Sequence, residues 1–134
     1  MFNIYIIIMN NPILILASLF LTLMFFLSGF HKITAFSSTA KGLVNKTNVP
    51  FTLAKILIVG VILLEIIAPG IIVFYAYSLS PALLAYAKLS IIGLILFTIL
   101  ATILYHFPPT GANYYSFLSN LSTLGGLMLL YKNI

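Results

Sequence analysis

The chain has 134 residues, of which 63% are hydrophobic, and its six basic residues and single acidic one leave a net charge of +5. So few charges exclude a water-soluble domain of this length, which could not stay dispersed with such a surface. The lysines are scattered between apolar runs, with no basic stripe or interleaved aromatics to follow a nucleic-acid backbone, so nucleic acid is excluded as a partner and the lipid bilayer takes its place.

There is no cysteine, which rules out disulfides, thiolate metal sites and CxxC redox chemistry within the chain. Any redox role would use a borrowed cofactor. All basic residues are lysine, and Ile, Phe, Tyr and Asn are frequent, a bias expected of an AT-rich coding sequence. The opening MFNIYIIIMNN lacks the positive n-region and cleavage pattern of a signal peptide and is read as an interfacial lead-in.

A helix needs about 20 apolar residues to cross the hydrocarbon. Pro12 to Phe30, Phe51 to Tyr77, Pro81 to His106 and Asn113 to Tyr131 each supply that length. Runs such as Ile56 to Ile67 are continuously apolar, without the alternation of barrel strands. The expected fold is therefore an all-α membrane protein, one unit in which four transmembrane helices form an antiparallel bundle.

The connection from His31 to Pro50 carries Lys32, Lys41 and Lys46. Within it Ile33, Phe36, Ala40, Leu43 and Val44 recur at helical spacing, which predicts a short interfacial amphipathic helix between spans 1 and 2, broken at Asn48-Val49-Pro50. By the positive-inside rule this lysine-bearing connection is expected to be cytoplasmic. The other connections are short, making successive helices antiparallel neighbours. Pro69, inside the second span, predicts a kink.

Glu65, the only acid, falls within the second span, where an unpartnered carboxylate is costly. Counting the rise per residue from the connection between spans 2 and 3 brings Lys88 near its depth, and a Glu65–Lys88 ion pair is the expected compensation. The alternative is a protonated Glu65 hydrogen-bonded to a hydroxyl or carbonyl, with Lys88 snorkelling outward.

Lys88, Ile92, Ile95, Ile99, Thr102 and His106 share one helical face, which is expected to line the interior. His31 and His106 close the first and third spans at the same membrane face, beside Lys32. Two imidazoles can bind metal or relay protons, but with no third ligand nearby no metal site is expected. In the last span Asn113, Ser116, Asn120 and Thr123 mark one face and Ser119, Ser122 and Gly126 the next, a pattern suited to close helix packing. Asn120 is singled out because a deep amide wants several partners, whether a neighbouring helix or a ligand head.

Phe26-Leu27-Ser28-Gly29 with Lys32 and Phe36, then Val49-Pro50, Leu64-Glu65, His106 with Pro108, and Phe117, Asn120-Leu121 and Gly125-Gly126-Leu127, in this order, resemble the motifs of the DoxX-like membrane proteins. The resemblance spans about residue 16 to the C-terminus. It implies a four-helix bundle with Ser28, Lys32, Glu65, His106 and Asn120 turned inward. Pro69-Gly70, where that family usually has two glycines, and Lys88 within the third span depart from it.

The family so resembled is functionally mixed, including small subunits tied to quinone-linked oxidation and membrane chaperones, so it narrows fold more than function. Two readings remain. One is an accessory subunit of a quinone-linked membrane redox complex, with no self-contained catalytic constellation. The other is a non-enzymatic scaffold, chaperone or assembly factor of a cellular or viral membrane, bound to a membrane partner or to a second copy of itself.

Overall fold

The structure, a computed structural model, describes the backbone of residues 4–134 and the side chains of residues 12–134. The lead-in expected over residues 1–11 lies outside the described side chains. Five α-helices follow one another: α1 (Ile4–Thr34), α2 (Phe36–Thr47), α3 (Phe51–Ser78), α4 (Leu84–Tyr105) and α5 (Asn113–Asn133). No strand occurs among the described residues.

Three segments, Pro12–Thr34, Phe51–Ser78 and Pro81–Tyr105, are long and apolar enough to cross a membrane. The protein is a multi-pass membrane protein. α5 is 21 residues long, but its Asn and Ser residues dilute the apolar run and it is not among the three.

α1 runs past Phe30, where the sequence reading ended it, to Thr34. Ala35 then departs from helical geometry (φ −108°, ψ 34°), yet its N–H bonds the His31 carbonyl and its own carbonyl accepts from Thr39. The chain therefore bends within one residue and enters α2. The apolar face of α2 behaves as its spacing requires: Ala40 is fully buried with Ala54 and Ile58 of α3, and Phe36, Leu43 and Val44 pack around them.

Its outer face, Ser37, Ser38, Lys41, Asn45 and Lys46, is exposed. Asn48 ends the helix at φ 58°, a left-handed conformation that Asn tolerates better than most residues, and its N–H caps the Val44 carbonyl. Pro69 lies buried inside α3, and the helix continues through it to Ser78.

α3 packs against both α1 and α4, and α5 lies chiefly on α4. Phe25, Ala68, Ile72, Ile91, Leu94, Leu127 and Leu130 form the common core. In α4 the buried face is Ala87, Ser90, Ile91, Leu94, Thr98 and Thr102. The stripe expected from Lys88 to His106 is thus misplaced by about one residue: Ile92 is 38% exposed. Small Ala87, Ser90 and Gly93 let α4 approach its neighbours on this side, whereas bulky Ile92 does not.

Between membrane helices, association rests on close packing more than on hydrophobic transfer, because acyl chains are as apolar as leucine. Three glycines provide that closeness. A Cβ on Gly29 would lie 2.9 Å from Ile66 Cγ1 and 3.1 Å from Glu65 Cβ, on Gly93 2.9 Å from Leu64 Cδ1, and on Gly126 2.8 Å from Leu21 Cδ1.

The leucine atoms end flexible side chains and can swing away, whereas Ile66 Cγ1 and Glu65 Cβ sit next to the α3 backbone. Gly29→Ala should therefore cost about 1–3 kcal/mol, and Gly93→Ala and Gly126→Ala distinctly less. Thermal unfolding of the three variants in detergent checks the order; equal losses would contradict it.

Candidate interior binding site

Ser28 and Lys32 stand one helical turn apart on α1, on the side where Gly29 admits α3. Lys32 Nζ donates to Glu65 Oε2 at 2.8 Å and also to Ser28 Oγ. The Glu65 side chain is 2% exposed and that of Lys32 18%. The sole acid of the chain is thus held by a lysine of the first span, not by Lys88.

The expected Glu65–Lys88 pair is wrong, and the geometry says why. α3 extends to Ser78, and the 3-10 turn Pro81–Leu83 leads directly into α4, which puts Glu65 about 20 Å and Lys88 about 12 Å from that end by the rise per residue. A lysine stem does not bridge the difference. Lys88, half-buried, instead places Nζ 5.4 Å from the ring centroid of Tyr131 on α5. The sequence reading had placed Lys32 outside the hydrocarbon because it ended α1 at Phe30.

Pro69 adds a further feature. It has no N–H, so the Glu65 carbonyl four residues earlier lacks its helical partner. Carboxylate and carbonyl of the same residue therefore both depend on groups outside the regular hydrogen-bond ladder of α3.

Above the ion pair lies a cavity of about 610 Å³. It exists because α1 stops and α2, displaced by the bend, continues along α3 with only Thr39, Gly42 and Leu43 facing inward. The walls are apolar: Met24 and Phe25 of α1, Leu57, Ile58 and Val61 of α3, and Phe97, Leu100, Ala101 and Leu104 of α4. The polar groups are few and separated. Ser28, Lys32 and Glu65 lie together, while Tyr105 and His106 mark the α4 C-terminal end and Asn120 the α5 side. An apolar chamber with a few placed polar groups is the usual form of a small-molecule site.

Several hydroxyls are already committed. Thr98 donates to the Leu94 carbonyl and Thr102 to the Thr98 carbonyl, within their own helix. Asn120 Nδ2 donates to Thr102 Oγ1 at 2.9 Å, tying α5 to α4 and leaving the amide oxygen and one N–H unspent. The Lys32 ammonium has three N–H groups and gives two to Glu65 and Ser28. Its nitrogen lies 5.9 Å from the Phe97 ring centroid.

Of the sequence-derived candidates, Ser28, Lys32, Glu65, His106 and Asn120 line this one cavity, and Thr102 touches it through Asn120. Lys88 and His31 do not; His31 is exposed. His106 lies beyond the last turn of α4, at φ −125°, so the five-turn count from Lys88 does not govern where it points.

The sequence reading missed Phe97, Tyr105 and Lys46, whose Nζ lies 5.8 Å from the Tyr105 ring centroid. The aromatic residues sat in an apolar run with nothing local to distinguish them, and Lys46 was read only as a headgroup lysine.

Removing one partner of a buried pair leaves an uncompensated charge. Lys32→Met should therefore destabilise the protein by about 3–5 kcal/mol, with Lys32→Met/Glu65→Gln recovering much of the loss. Lys88→Met, which strips only a cation from an aromatic ring, should cost about 1 kcal/mol. Unfolding in detergent with a graded denaturant measures all three. A Lys88→Met loss as large as that of Lys32→Met would contradict the assignment.

No curated protein and no solved structure matches the chain. The DoxX-like family, which its motifs resemble, is not the one matched. The family model that does match is described as Methylamine utilisation protein MauE, over residues 10–112. The match runs from the start of the first apolar segment to the edge of α5. It contains Ser28, Lys32, Glu65 and His106 and stops short of Asn120. With most of its length so matched, the chain belongs to the MauE family of small multi-pass membrane proteins.

Proposed function

We propose that the protein is an accessory subunit of a membrane redox system and holds a quinone-class ligand between its helices without carrying electrons itself. The observation that carries this reading is the cavity: apolar walls, a lysine with a spare donor at one place, and His106 and Asn120 at others. A quinone head is flat and apolar with oxygens at opposite edges, and separated donors suit it.

The family name ties its members to methylamine utilisation. Since this chain has no cysteine, redox chemistry must come from a ligand or a partner subunit. The order of the DoxX-like motifs supports the same reading, because their polar residues are those around the cavity.

In this reading α5 is the fourth span. Its 21 residues reach about 31 Å by the rise per residue, enough to cross, and Asn120 satisfies part of its polarity against α4. The start of α1 and the end of α5 would then share one side of the membrane, and the lysine-rich α2 end would lie on the other, cytoplasmic side. A partner membrane protein supplies the catalytic groups.

One observation favours the second reading, a scaffold. Ser119, Ser122 and Gly125 lie exposed along α5, a small-residue face of the kind that receives another helix.

Addition of a short-tailed quinone should raise the unfolding temperature of the purified protein by about 4 °C, which corresponds to roughly 1–2 kcal/mol at this size. His106→Ala should lose the shift. Unchanged stability across a wide quinone range would remove the quinone reading. A partner recovered by cross-linking through α5 from native membranes, in the absence of any quinone effect, would establish the scaffold instead.

A further inference from the structure

We infer that the cavity takes a tailed lipid, whose neutral, oxygen-bearing head rests on Lys32 and whose hydrocarbon tail leaves sideways between α3 and α4. This deepens the ligand-binding reading and rests on it.

α3 and α4 touch where Leu64 Cδ1 approaches Gly93, 2.9 Å from the position a Cβ would take there. Leu57 precedes Leu64 on α3 and Leu100 follows Gly93 on α4 by the same interval, about 10 Å of helix. Antiparallel helices therefore set these two leucines at the same height, toward the α2 end. Both line the cavity. Both also face outward, at 45% and 60% exposed.

A side chain that borders a chamber and meets the outside stands on a rim. Between Leu57 and Leu100 the chamber opens to the flank of the bundle. The surface around this opening is apolar: Ile56, Leu96 and Ile103 are 63%, 57% and 59% exposed, as fits contact with acyl chains. The other approach is obstructed, because α2 roofs the chamber with Leu43 and Lys46 leans over Tyr105 at its end. A ligand already dissolved in lipid has the freer path.

The head end is set by Lys32. Two of its N–H groups go to Glu65 and Ser28, and the remaining one offers a donor to a carbonyl oxygen. The path from Lys32 to the Leu57–Leu100 rim is bordered by Val61, Phe97 and Ala101, and the Thr98 hydroxyl beside them donates to the Leu94 carbonyl of its own helix.

Calorimetric titration of the purified protein with a decyl-tailed benzoquinone, and with the same head lacking the tail, tests this. Leu57→Trp and Leu100→Trp should each weaken the tailed probe by about tenfold and leave the head-only affinity unchanged, which also reports that the fold is intact. Leu89→Trp, on the same exposed face of α4 but about 16 Å along the helix from Leu100 and outside the cavity lining, should change neither affinity.

Unaltered binding of the tailed probe by both rim variants overturns the side path. So does an equal loss of both probes in the two rim variants while Leu89→Trp binds normally. If the unmodified protein binds neither probe, the quinone reading itself falls and this inference with it; if it binds both and only the rim variants behave otherwise than stated, the inference alone falls.

Discussion

Within hydrocarbon an isolated carboxylate is among the most expensive groups a chain can bury, and this protein buries its only one midway along α3. The cost is met by a single cation from the neighbouring helix, and much else follows from bringing it there. α1 must stay helical past Phe30 so that Lys32 projects from the same face as Ser28. Gly29 must lack a side chain so that the α1 and α3 backbones come close enough for a 2.8 Å contact. The bend at Ala35 must follow at once, since a straight continuation of α1 would leave no room for the chamber beside the pair.

The helices themselves were legible in the sequence because each condition for them is local: an apolar run, a capping or breaking residue, a left-handed Asn before Val-Pro. The amphipathic character of α2 was legible for the same reason, through Ala40, Leu43 and Val44. What failed depended on where helices end. Lys88 stays nearer than Glu65 to the α3–α4 connection and turns to Tyr131, and extending α1 to Thr34 brings Lys32 in.

Small errors at helix ends thus exchanged one lysine for another. The inward face of α4 was misread differently: the Lys88-to-His106 spacing is right for a continuous helix, but small residues, not polar ones, decide which side packs. The motif order placed Ser28, Lys32, Glu65, His106 and Asn120 inside together, which spacing alone did not do, because it encodes three-dimensional proximity that no single helix contains.

A chamber beside an ion pair is also a consequence of economy in small side chains. Where α3 and α4 meet at Leu64 and Gly93 they pack closely; farther toward α2, the facing residues Leu57, Val61, Leu100 and Leu104 line space. α2 covers it with Thr39, Gly42 and Leu43, of which only the leucine is large. The helix that roofs the chamber is the least apolar of those that cover the site, and its lysine-bearing outer face belongs at the headgroups. The chamber accordingly runs from the Glu65–Lys32 pair, midway along α3, toward the α2 end of the bundle.

Charge then restricts what the chamber can receive. Lys32 and Glu65 together are neutral, so an anionic head placed on Lys32 would leave a net negative charge among Phe25, Phe97 and Val61, with no second lysine lining the chamber. A cationic head would meet the same difficulty with the opposite sign, because Glu65 is already engaged. A neutral head with acceptor oxygens adds no charge and uses the donors that remain: one N–H of Lys32, and the unspent N–H of Asn120. On the proposed reading, binding and redox chemistry are therefore separable: the helices would hold and orient a neutral, lipid-borne ligand, and a partner protein would give or take the electrons.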